Sequence, residues 1–249
     1  LIPILAQKYH VVAPDIPGFG FTDVPAERQY KYTFESFAKT IGAFLDALKI
    51  KKFAVYIFDY GAPTGLRLAL TRPDLTITGI ISQNGNAYEE GLGEFWEPLK
   101  RLWKNDTKEN RDALRPFFTI EATKSQYFGG VSESHVDQIQ PEAYYLDQAL
   151  LDRPGNNEIQ LDIFYDYRTN IELYPQFQKY IREKKVPVLA AWGKNDGIFI
   201  APGAEAFKRD NPDNTVLKLY DTGHFALETH LEEISRDIIS FLDSHAVRE

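Results

Sequence analysis

Residues 54–65 read AVYIFDYGAPTG, and the fold turns on them. Ala54 to Phe58 is an apolar run rich in β-branched and aromatic side chains, the mark of a buried strand. It ends abruptly in the carboxylate of Asp59. The small residues Gly61, Ala62 and Gly65 follow, and a helix through TGLRLAL must stop before Pro73. The chain therefore makes a tight strand–turn–helix with a charged group at its apex. The start of the helix, where unpaired N–H groups point outward, favours negative charge there.

Upstream, residues 1–8 read as the end of an amphipathic helix, YHVVAP (9–14) as a short buried strand, and DIPGFGFTDVP (15–25) as a loop. Thr33 is a fitting N-cap for a helix whose apolar face carries Phe34, Phe37, Ile41, Phe44 and Leu48. Downstream, TITGIIS (76–82), VPVLAAWG (186–193) and TVLKLYD (215–221) read as strands. APGAEAFKRD (201–210) and a last helix with Leu231, Ile234, Ile238 and Phe241 on one face read as helices. Strands alternating with helices predict an α/β fold with a mostly parallel sheet flanked by helices on both sides. Residues 84–184 break the alternation, with helices expected at 95–104, 107–122, 141–152 and 157–168. They read as a helical cap inserted over the carboxyl edge of the sheet, where such folds bind ligands. The expected organisation is thus core (1–83), cap (84–184) and core again (185–249).

With 249 residues and 43% apolar composition, the chain is long enough for one large core. A net charge of −8 argues against nucleic acid as a partner, and no apolar run is long enough to cross a bilayer. With no cysteine, disulfides and thiolate chemistry are excluded. The expected partner is a small-molecule substrate; a homodimer is left open, and a cytoplasmic location is favoured. The chain starts at Leu1 and contains no Met, so it is expected to be the inner part of a longer sequence.

A sharp turn between strand and helix, with small neighbours, forms the nucleophile elbow of α/β-hydrolases. Serine is the familiar apex; here it is Asp59. A carboxylate is already ionised at neutral pH and can displace a leaving group at saturated carbon, giving an alkyl ester that water must then remove. The base and its partner should follow in the order acid, then His. DTGHFALET places His224 after the last strand, and WGKNDGIF places Asp196 after the strand before it. His224 would take a proton from water, and Asp196 would orient the imidazole and stabilise its charge. Singly, Asp59 reads rather as a helix cap, Asp196 as a turn residue and His224 as a structural histidine. Together, in order and at the carboxyl ends of successive strands, they read as a triad. His10, His135, His230 and His245 lack this context and read as structural or surface residues.

On VVAPDIPGFGFTD, FDYGAPTG, WGKNDGIF and TGHFALE, the chain resembles the α/β-hydrolase superfamily, specifically its epoxide hydrolase branch. The resemblance implies hydrolysis of an epoxide with no cofactor and no metal. It also implies two cap tyrosines that hydrogen-bond the epoxide oxygen. DYRTN points to Tyr167, whose rival reading is core packing beside Ile159 and Ile163; SQYFGG points to Tyr127. The N–H of Tyr60 would form half of an oxyanion hole. A His-Gly loop supplying the other half, and a strand between YHVVAP and KFAVYIF, are expected ahead of Leu1 and absent from this chain. Ile57, Phe58 and Tyr60 depart from the branch pattern, which has a small residue, His and Trp there. In dehalogenases that Trp binds the departing halide, so Tyr60 counts against a haloalkane or haloacid dehalogenase, the nearest rival. The remaining rival is an idle binding protein on the same scaffold.

Overall fold

A computed structural model describes residues 1–246. After a short helix α1 (Ile2–Leu5), the chain runs as a loop to α2 (Phe34–Ala47). Next come β1 (Lys52–Phe58), α3 (Gly61–Thr71) and β2 (Thr76–Gln83). A helical segment leads to β3 (Val188–Gly193), α10 (Pro202–Asp210), β4 (Thr215–Tyr220) and α11 (Leu227–Phe241). All four strands are parallel, in the order β1-β2-β3-β4.

Pleating alternates the side chains of each strand between the two faces. Val188, Ala190 and Trp192 join Ile80, Leu66, Phe37 and Phe207 in the core beneath α2, α3 and α10. Leu189 and Ala191 instead join Ile81, Ile234, Ile238 and Phe241 beneath α11. This two-sided burial is why β3 carries no polar residue along its length. α2 begins as expected, with the Thr33 side chain accepting from Ser36 N. Its buried face is Phe34, Phe37, Ala38 and Leu45, whereas Leu48 is 45% exposed.

YHVVAP is not a strand. A strand needs a neighbour to satisfy its N–H and C=O groups, and no strand among the described residues pairs with it or with the outer edge of β1. His10, Ala13 and Pro14 are exposed.

Between β2 and β3 lie only helices: α4 (Glu97–Lys104), α5 (Lys108–Asp112), α6 (Ile120–Phe128), α7 (Pro141–Leu151), α8 (Asn156–Asp166) and α9 (Arg168–Lys184). The single helix expected over 107–122 is instead α5, a 3-10 turn at Arg115–Phe118, and α6. Pro116 cannot continue the ladder, and the Thr119 side chain starts a new helix by accepting from Ala122 N. α9 was not expected at all. Pro175 sits inside it, yet Tyr174, Phe177 and Ile181 bury one face and hold it together. Among the described residues no helix is long and apolar enough to cross a membrane.

Candidate active site

β1 delivers Asp59 into a left-handed conformation, φ 44°, which side-chain-bearing residues rarely adopt and which stores strain. What permits the tight turn is Gly65: a Cβ there would lie 2.8 Å from Ile57 Cγ2, so only glycine lets α3 approach β1. Gly61, by contrast, has open space around it. Tyr60 is the N-cap of α3, and its N–H therefore stays outside the helical ladder.

The loops after β3 and β4 bring their side chains to the same edge. His224 Nε2 lies 3.1 Å from Asp59 Oδ2, and Nδ1 lies 2.8 Å from Asp196 Oδ2. Exposure falls along this line, with the side chains of Asp59, His224 and Asp196 at 28%, 2% and 0%. Asp196 also accepts from Ile198 N at 2.7 Å and from Asn84 Nδ2 at 2.7 Å. Asn84, at the end of β2 with φ 47°, accepts in turn from Gly193 N at 2.9 Å and from Gln83 Nε2 at 2.6 Å. Gln83 Nε2 also donates to His224 O at 3.0 Å, and Tyr56 Oη donates to Gln83 Oε1 at 2.9 Å. Gln83 and Asn84 thus tie together the ends of all four strands. They were missed in the sequence, although polar Gln83-Asn84 closing the apolar strand TITGIIS was a usable signal. His10, His135, His230 and His245 make no contact with these groups.

Asp59 lies in the wall of a cavity of about 400 Å³, together with Phe58, Tyr60, Trp96, Tyr127 and Phe225. The Phe58 ring lies 4.7 Å from the His224 imidazole. Tyr127 stacks on Phe225 at 4.1 Å, and its hydroxyl donates to Asp147 at 2.5 Å. Tyr167 is not in the cavity lining. It is fully buried against the lining residues Trp96 and Tyr60 and against Trp103, with its hydroxyl 2.9 Å from that of Tyr174. The expected pair of cap tyrosines is brought to the cavity only in part: Tyr127 lines it, whereas the Tyr167 hydroxyl is paired with Tyr174. For Tyr167 the reason is the aromatic packing along α8, where Ile163 is also fully buried. Gly223 meets the end of α6 so closely that a Cβ would lie 1.7 Å from Gly129 O, which locks the His224 loop against the helix bearing Tyr127.

The alpha/beta hydrolase fold family matches residues 1–231. The chain belongs to that family. It is similar to the uncharacterized hydrolase YNR064C of Saccharomyces cerevisiae, with 52% identity over 96% of this chain and 82% of that protein. Among solved structures it resembles a bromoperoxidase from Bacillus anthracis (17% identity, TM-score 0.73, 97% of this chain and 85% of that one). It also resembles an epoxide hydrolase from Vigna radiata (22% identity, TM-score 0.69, 98% and 85%). The chain is an α/β-fold hydrolase.

In this hydrolase the electrostatics centre on His224. Burial disfavours its charged form, but Asp196 and then Asp59 outweigh burial and push the imidazole up to about 10. Burial, followed by the Asp147 contact, raises the Tyr127 hydroxyl. Among the described residues, no three His, Asp or Glu side chains converge as a metal site.

Proposed function

We propose that this hydrolase adds water to an epoxide through an ester on Asp59. One observation carries the reading: a strained apex carboxylate sits 3.1 Å from a buried imidazole that is itself backed by a buried carboxylate. An Asp59 oxygen bonds to a ring carbon as the C–O bond breaks, and the leaving oxygen takes the proton of the Tyr127 hydroxyl. Tyr127, on the cavity wall, exchanges its bond to Asp147 for one to that oxygen. Esterification removes the charge of Asp59, one of the two anions that hold His224 protonated. The imidazolium gives up its proton, which restores the Tyr127 hydroxyl, and becomes the base for the second half. His224 then deprotonates water, which attacks the Asp59 carbonyl carbon, with the Tyr60 N–H facing the oxyanion. Collapse releases the diol, and the helical segment 84–184 serves as the lid.

The halide-releasing alternative is weaker. All three indoles are committed to backbone carbonyls, Trp96 to Ile198 O at 2.8 Å, Trp103 to Phe164 O at 2.7 Å and Trp192 to Phe199 O at 2.7 Å. No indole N–H is left over for a departing halide. The test is rapid quenching with styrene oxide followed by peptide mass spectrometry. The reading requires a transient adduct on the peptide carrying Asp59; turnover without one refutes it.

A further inference from the structure

The cavity wall bears on what enters. Three carboxylates border it, Asp59 and the exposed Asp15 and Asp147. Among the described residues no Lys, Arg or His lines it. Its side-chain donors are mostly committed. Tyr127 bonds Asp147 at 2.5 Å, Thr123 bonds Gln148 at 2.7 Å, and the Asn156 amide bonds Leu150 O and Leu151 O at 3.2 and 3.3 Å. Gln160 reaches Gly18 O at 3.4 Å. The Gln126 amide and the Tyr60 hydroxyl remain without partners among the described residues. Acceptors are more plentiful, because Asp147 Oδ1 has no partner among those residues either. The half-buried carboxyl of Glu228 is raised by burial and then by the charge of Asp147.

Resting on the epoxide reading, we propose that this cavity takes uncharged substrates and turns away carboxylates, with Asp147 as the specificity-determining residue. The imidazole 3.1 Å from Asp59 offsets that carboxylate, but an incoming anion still meets the like charges of Asp15 and Asp147, beside which no cation lines the wall. At an effective dielectric of about 20, two unit charges roughly 8 Å apart repel enough to cost about thirtyfold in an equilibrium constant. Water around the exposed Asp147 screens part of that. A neutral substrate with a hydroxyl or amide N–H loses nothing, since Asp147 Oδ1 accepts from it.

The experiment compares phenyl glycidyl ethers carrying a para carboxamide or a para carboxylate, by kcat/KM. Binding of the matching unreactive aryl ethyl ethers is measured by calorimetry. The carboxylate should fall at least tenfold below the carboxamide in both. That gap should narrow at least threefold in Asp147→Asn. It should also narrow at 1 M salt, where the screening length shrinks to about 3 Å, which needs no variant. A carboxylate within threefold of the carboxamide overturns the proposal, as does a gap that neither the substitution nor salt narrows. If neither ether is hydrolysed, the epoxide reading fails, and the binding pair still decides the charge preference.

Discussion

Replacing His224 by Gln separates the two halves of the proposed reaction. Gln keeps polar atoms in the space but cannot take a proton near neutral pH. Asp196 loses its imidazole partner yet retains Asn84 Nδ2 and Ile198 N, both at 2.7 Å. The stability loss should therefore be that of one charge-assisted hydrogen bond, about 1.5–3 kcal/mol, which a domain stable by about 5–15 kcal/mol survives. Asp59 keeps its strained apex position, because Gly65 and the turn fix it independently of His224. Ester formation should stay within about tenfold of the parent, while its hydrolysis loses the about 10²–10⁴-fold that a positioned general base supplies. In a rapid-quench experiment with excess styrene oxide, the adduct should approach one equivalent per protein and persist for minutes. A folded variant that binds the epoxide but forms no adduct refutes the division of roles between Asp59 and His224.

Tyr127→Phe should slow ring opening by the value of one lost oxyanion-type donor, about 2.7–4 kcal/mol, read as adduct formation in single turnover. Tyr167→Phe should leave that rate within about threefold and lower the urea midpoint, because it only deletes the buried hydrogen bond to Tyr174, worth about 1 kcal/mol. The same removal of one donor in Asn84→Ala should slow ester hydrolysis by at least about tenfold, from loss of a bond to a charged acceptor, with ester formation changed less than twofold. His224 is raised from its ordinary 6.5 to about 10, so its charge stabilises the fold fully below about 6.5, and that contribution is lost as pH rises through about 10. The stability difference between the parent and His224→Gln, measured by urea unfolding, should be widest near pH 6 and close by about pH 10.

The meeting of Asp59, Asp196 and His224 was legible because each follows an apolar run, and parallel strands all end at one edge. Asp59 then falls after β1, Asp196 after β3 and His224 after β4, all at that edge. The interrupted stretches were harder. The stretch 107–122 reads as one helix, but Thr119 caps a separate helix after the turn at Pro116, and buried Tyr174 and Phe177 carry α9 past Pro175. YHVVAP has a strand's composition, but composition cannot supply the ladder partner that makes a strand.

Tyr167 and Asn84 show the same limit from opposite sides. Tyr167 sits in a motif that suggested chemistry, yet its hydroxyl is taken by Tyr174 and its ring by indoles. Asn84 sits in no suggestive motif, yet its amide donates to the carboxylate oxygen that faces His224. A tyrosine's neighbours along the chain do not say which partner its hydroxyl will find across the fold. A left-handed Asn just past a strand is different, because the backbone itself turns the side chain along the sheet edge. There the next strand's loop is within reach, and a buried carboxylate must find donors to stay ionised. The physical requirement at Asp196 thus explains Asn84, and a polar residue closing the strand beside a candidate acid is worth reading as part of its support.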